Sequence, residues 1–221
     1  MRLEMNTKWS QQAWEAALPV YEAITKSAFI SELIDGTLSR ERFIFYLRQD
    51  ARYIDVYSRV LAHIASRVPS TDMLESFLSF AADGVAVEKF MHASYLEGLG
   101  AAEELSPACL LYTSFLRAQA TAPVEVEAAA ILPSFWVYWA VGKYITEKVP
   151  QLDGHPYAAW IATYSDPAFD TSNARAIEIC NTLAENASEE TRRAMTDAFV
   201  EATRLEWIFW DSAFRLEKRP I

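Results

Sequence analysis

Asp50 lies in the segment Phe43-Ile44-Phe45-Tyr46-Leu47-Arg48-Gln49-Asp50-Ala51-Arg52-Tyr53. At roughly 100° per residue, Phe43, Tyr46, Asp50, Tyr53 and Tyr57 fall on one helical stripe with the acid in its middle. A carboxylate among aromatic rings gives up hydration that only a specific partner restores. A ligand carrying N–H groups would make Asp50 a binding acid, whereas a Tyr hydroxyl or an Arg of the protein would make it a satisfied core residue. The pattern recurs near the C-terminus, where Phe199, Ala202, Thr203, Glu206, Phe209, Trp210 and Ala213 share a face with Glu206 at its centre. A Glu desolvated among aromatics has a raised pKa, which suits a general acid or proton shuttle; the plainer role is a structural Glu paired with an Arg. If both acids face one cavity, their different surroundings divide the work between binding and proton transfer.

Other groups are candidates too. Glu88 and His92 stand four apart, on the same helical face as Leu74, Phe77, Ala81, Val85 and Tyr95. Such a pair ligates metal in di-iron bundles. That needs further acids and histidines, and the chain has only His63, His92 and His155, so a Glu–His hydrogen bond between helices is the expected role. In Pro133-Ser134-Phe135-Trp136-Val137-Tyr138, the Ser134 and Tyr138 hydroxyls share a face. Ser134 can simply repair the hydrogen-bond ladder that Pro133 breaks, and no Ser-His-Asp arrangement or GxSxG motif marks it as an activated nucleophile. Tyr112 and Tyr164 add phenols near helix ends. Ten Tyr and seven Trp either fill a core or line a pocket for a planar heterocycle.

The elements that position these groups are helices. Six Gly in 221 residues, 52% apolar residues and abundant Ala, Leu and Glu predict an all-α fold with one large core. No linker divides the chain, so residues 1–221 are expected to form one domain. The predicted helical regions run over about 7–34, closed by Asp35-Gly36, and from an N-cap at Ser39 to about Val68. A third starts at Pro69-Ser70-Thr71-Asp72 and ends near Gly98-Leu99-Gly100. A shorter helix lies between Ser106-Pro107 and Ala122-Pro123, and another spans Glu125 to Val149, bent at Pro133. His155-Pro156 opens a short helix to Tyr164, Asp166-Pro167 starts the next, and Ser188 caps the last, to about Phe214. Short connections predict mostly antiparallel neighbours in a compact bundle.

A net charge of −10 without any Lys/Arg cluster argues against a nucleic-acid partner. Cys109 and Cys180 lack metal-ligand spacing and read as reduced, buried thiols. Met1 to Trp14 carries no signal-peptide apolar core, which with the two thiols implies a cytoplasmic protein. The apolar run from Ala128 to Gly142 is short for a membrane span and contains Pro133, so a buried helix is expected there and no membrane partner. No cofactor is expected.

Taken together, these motifs resemble the thiaminase II (TenA) family of the haem-oxygenase-like fold. The resemblance runs from Asp35-Gly36-Thr37-Leu38 to about Phe214. It rests on Phe43-x-x-Tyr46-x-x-Gln49-Asp50-x-x-Tyr53, Leu132-Pro133-x-x-Trp136-x-Tyr138, Trp160-Ile161-x-x-Tyr164 and Glu206-x-x-Phe209-Trp210, in that order. It implies a thiamin-salvage hydrolase converting 4-amino-5-aminomethyl-2-methylpyrimidine to the hydroxymethyl form. Asp50 would bind the aminopyrimidine edge, a bidentate match for a carboxylate. Tyr53 and Phe209 would be pocket walls, Tyr112, Tyr138 and Tyr164 would give hydroxyls or stacking faces, and Glu206 would be the acid and base. A homotetramer is implied as well. In the cysteine-bearing branch the residue after Leu-Pro is a nucleophilic Cys; here it is Ser134, with no base beside it in the sequence. The chain therefore looks like the branch lacking that Cys, associated with aminopyrimidine and N-formyl-aminopyrimidine salvage, and thiamin cleavage is not expected. A non-catalytic pyrimidine-binding or regulatory protein, a quinone-cofactor synthase and a di-iron oxidase of the same fold are the competing classes.

Overall fold

The structure, a computed structural model, describes residues 8–96, 104–163 and 166–219. Over these residues the chain forms α1 (Trp9–Thr25), α2 (Ala28–Ile34), α3 (Arg40–Ala65), α4 (Thr71–Met91), α5 (Pro107–Ala118), α6 (Val124–Ile131), α7 (Pro133–Lys148), α8 (Ala158–Thr163), α9 (Pro167–Asn186) and α10 (Glu189–Phe214). A π-helical turn, His92–Leu96, continues α4, and no strand occurs among the described residues. The predicted all-α fold is what forms.

Capping sets most of the boundaries. The hydroxyls of Ser39 and Ser188 accept from Arg42 and Thr191 backbone N–H groups, as predicted for the starts of α3 and α10. Ser106 does the same for Cys109, and Pro107 at the first position of α5 supplies a preset φ. Ser27 caps α2, so the helical region expected over about 7–34 is made of two helices. The region 125–149 is likewise two helices rather than one bent one. α6 ends at Ile131 and α7 begins with Pro133, whose ring removes the N–H that would continue the ladder. Val124–Lys148 is long and apolar enough to cross a membrane by length and composition, yet Val126, Ile131, Leu132, Val137, Val141 and Ile145 are packed inside the bundle. Gly36 (φ 68°) ends α2. There the Thr37 N–H returns to Glu32 C=O at 2.8 Å, a turn whose left-handed residue favours glycine.

α3 and α10 organise the bundle. α3 packs along α4 and touches α5, α6 and α10; α10 packs against α6, α1 and α5. Phe43, Tyr46, Tyr53 and Tyr57 are buried, as are all seven residues of the predicted α10 stripe. On α4 the predicted stripe holds only in part, with Phe77 buried and Ala81 packed against the core. Val85 is exposed, and the buried residues are Met73, Phe77, Phe80 and Met91, while Gly84 brings the backbone near Ser58 and Ile54 of α3. The side chains of Glu88 and His92 lie outside the described residues, as do Tyr164 and the predicted end of the third helix at residues 98–100.

Candidate active site

Four helices each bring one oxygen to a common point. Tyr53 comes from the middle of α3, Tyr112 from α5, Ser134 from the first turn of α7 and Glu206 from α10. Tyr112 donates its hydroxyl to Glu206 Oε1 at 2.8 Å, and Ser134 Oγ donates to the same oxygen at 3.1 Å. Tyr53 OH lies 2.5 Å from Ser134 Oγ, with Tyr112 OH 3.3 Å away. The proton count fixes the directions. Ser134 and Tyr112 spend their protons on the carboxyl, so Tyr53 donates to Ser134.

Burial controls how these groups ionise. Glu206 is 1% exposed, and desolvation lifts its pKa to about 8. The bonds from Tyr112 and Ser134 oppose the rise, and the charge of Asp50 adds to it. Asp50 and Glu206 thus act on one another across α3 and α10, a proximity that spacing alone leaves open. Tyr53 and Tyr112 are pushed well above 10 by burial first and Glu206 second. Tyr57 is raised by burial and then by Tyr53. All three stay protonated and remain donors at neutral pH. Cys109 and Cys180 are buried free thiols, each pushed up to about 12 by burial, and for Cys109 further by Asp50. Neither supplies a thiolate at neutral pH.

Aromatic rings surround the cluster. Tyr53 and Tyr112 have ring centroids 4.8 Å apart, and Phe209 lies 6.0 Å from both Tyr46 and Tyr53. Tyr138 packs on Trp210 at 4.7 Å, and its hydroxyl meets that of Tyr46 at 3.3 Å. Tyr46 also meets Trp160 edge-on at 6.0 Å. Asp50, half-buried, stands one turn before Tyr53 on α3. The structure thus gathers Asp50, Tyr53, Tyr112, Ser134, Tyr138, Glu206 and Phe209 into one region. A surface cavity of about 360 Å³ lined by Arg40, Ile44, Phe45, Arg48, Leu216 and Lys218 lies on the opposite face of α3 and contains none of them.

Two findings correct or extend the sequence reading. Ser134 does have a base beside it, supplied by Glu206 from 72 residues away. Gln49, buried at 2% exposure, had drawn no role of its own. Its Nε2 donates to Glu104 C=O at 3.0 Å and its Oε1 accepts from the Ser106 N–H at 2.8 Å. Gln49 so ties α3 to the start of α5 and fixes Tyr112 relative to Asp50; its place beside Asp50 in the motif was the available signal. Among the described residues no group of three or more His, Cys, Asp and Glu side chains is placed to hold a metal ion.

The bundle has the architecture of a haem-oxygenase-like protein. It superposes with a TM-score of 0.71 on a Shewanella denitrificans domain described as having a heme oxygenase-like fold, at 16% identity over 96% of this chain and 94% of that one. A TenA homologue from Pyrococcus furiosus matches with a TM-score of 0.86, at 21% identity over 93% of this chain and 99% of that one. The chain belongs to the TENA/THI-4/PQQC family, whose model matches residues 14–216. It is 31% identical to the aminopyrimidine aminohydrolase of Bacillus subtilis over 95% of this chain and 91% of that protein. It is 36% identical to the thiamine biosynthesis multifunctional protein ThiED of Corynebacterium efficiens, over 94% of this chain. The chain spans only about 28% of the length of that larger relative.

Proposed function

We propose that this protein is an aminopyrimidine aminohydrolase of thiamin salvage, converting 4-amino-5-aminomethyl-2-methylpyrimidine to its hydroxymethyl counterpart without a Cys nucleophile. The observation that carries the reading is the buried Glu206 carboxyl, hydrogen-bonded by Tyr112 and Ser134 and raised to about 8. At neutral pH it is mostly protonated and serves as the general acid. It gives its proton to the exocyclic amine as the C–N bond breaks and ammonia leaves. Water adds to the methylene carbon, and its proton returns to Glu206. Asp50 accepts from the ring edge of the aminopyrimidine. Tyr53 and Phe209 wall the ring, and Tyr112 and Tyr138, with Tyr164 from outside the described residues, add hydroxyls or stacking faces. The N-formyl derivative is the second substrate of the same pocket.

A thiazolium leaving group accepts no proton, so Glu206 gives thiamin no acid catalysis and cleavage of thiamin should be slow. The test follows product formation from the aminomethyl pyrimidine, its N-formyl derivative and thiamin, with added chelator. Turnover of either pyrimidine with thiamin untouched supports the reading, and so does loss of pyrimidine binding in Asp50→Asn. Turnover of none of the three, or unchanged affinity in Asp50→Asn, contradicts it. By the same resemblance the protein is a homotetramer, for which the exposed Leu78, Val87 and Phe90 of α4 and Leu111 of α5 offer apolar surface.

A further inference from the structure

Three roles compete for the Ser134 hydroxyl: backbone repair after Pro133, a hydrogen bond that merely holds Glu206, and nucleophilic attack. Backbone repair does not fit, because Oγ makes its contacts with Tyr53, Tyr112 and Glu206, side chains of three other helices. A purely supporting hydroxyl is expected to be as sealed as the groups it supports. Ser134 is instead the most open member of the cluster, half-buried where Glu206 and Tyr112 are each 1% exposed. Ser134 thus keeps solvent exposure that Glu206 and Tyr112 lack. The base is within hydrogen-bond reach at 3.1 Å and is itself held by Tyr112 at 2.8 Å. Nucleophile, base and orienting group are all in place.

We propose that Ser134 is a nucleophile, deprotonated by Glu206 and aligned by Tyr53 and Tyr112, which cleaves the formamide of the N-formyl pyrimidine through a formyl-serine ester. The inference rests on the pyrimidine reading for the identity of the heterocycle and adds the covalent step. A carbonyl carbon is the electrophile that an oxygen nucleophile attacks most readily, since the electron pair moves onto an oxygen that donors can stabilise. Oγ bonds to the formyl carbon as its proton passes to Glu206 Oε1. The carbonyl pair becomes an oxyanion next to the Tyr53 hydroxyl, which in the free site lies 2.5 Å from Oγ. Collapse breaks the C–N bond, the amine takes the pair and the proton from Glu206, and the formyl group remains on Ser134. Water adds to the ester carbon and yields a proton to Glu206. The C–Oγ bond then breaks, Ser134 regains its proton and formate leaves. The amine released is the substrate of the direct hydrolysis, so one pocket performs two consecutive steps.

Formate release from the N-formyl pyrimidine and ammonia release from the aminomethyl pyrimidine are measured side by side in the native protein and in Ser134→Ala. Formate release should fall roughly 10³-fold or more, exceeding any loss of ammonia release by at least about 100-fold. Native protein supplied with hydroxylamine should yield formohydroxamate, a readout independent of how the variant folds. Formate release in a folded Ser134→Ala within a few-fold of native, or no hydroxamate during turnover, overturns the nucleophile alone. Ammonia release without any formate release overturns it too. No turnover of either substrate by the native protein overturns the pyrimidine reading itself.

Discussion

A carboxyl sealed beneath phenol rings gives up its proton reluctantly, and at Glu206 that sets the pH at which the site can act. Burial is the main cause of its rise to about 8. Asp50 of α3 adds to it, and the hydrogen bonds from Tyr112 of α5 and Ser134 of α7 oppose it; Tyr53 and Tyr57 of α3 are neutral neighbours. In the proposed role of general acid, Glu206 would work in its protonated form. Ammonia release should hold below about pH 8 and fall about tenfold per unit above it. Formate release uses the same group as a base and should rise toward pH 8 and then level. Rate profiles of the two substrates check this; parallel profiles would contradict it. Stability has its own sign. The folded pKa lies above the ordinary Glu value of 4.5 that holds in the unfolded chain, so this contribution is complete below that pH and is lost as pH rises through about 8. Both acids were legible from one strand of sequence each, because an acid in an aromatic stripe stands out at helical spacing. The partnership of Ser134 with Glu206 was not, since no local periodicity relates two helices.

Helix α3 was readable nearly end to end, because a Ser cap and a regular aromatic face mark it. α4 was harder. Its apolar residues occupy both sides, with Leu78, Val87 and Phe90 exposed, so a periodicity argument found Phe77 of the packed face but included the exposed Val85 and missed Met73 and Phe80. The buried acid of α6 escaped notice for another reason. Glu127, 1% exposed, lies in a short helix otherwise rich in Ala, and its partners are His63 Nδ1 of α3 at 2.7 Å and Arg67 Nη1, from the turn after α3, at 2.5 Å. Arg67 also donates to Ala122 C=O at 2.6 Å, which fixes the turn before α6. Removing Arg67 strands a buried carboxylate with one partner. Arg67→Ala should cost about 3 kcal/mol in denaturant unfolding; a loss below about 1 kcal/mol would show that the pair is held no more tightly than a surface one.

At the scale of the molecule, helices distant in sequence converge so that the Glu206 carboxyl is shut away from water while Ser134 beside it is only half-buried. The family's fold was legible because motifs from α3, α7, α8 and α10 occur in order; which of the candidate site residues touch depended on packing. The central claim is that Glu206 moves the proton in an aminopyrimidine hydrolysis. Its most direct test compares native protein with Glu206→Gln, measuring pyrimidine affinity and ammonia release from the aminomethyl pyrimidine on the same samples. The variant should bind within a few-fold of native and release ammonia about 10²- to 10⁴-fold more slowly. Full turnover by Glu206→Gln, or lost binding with turnover intact per bound substrate, would contradict the assignment.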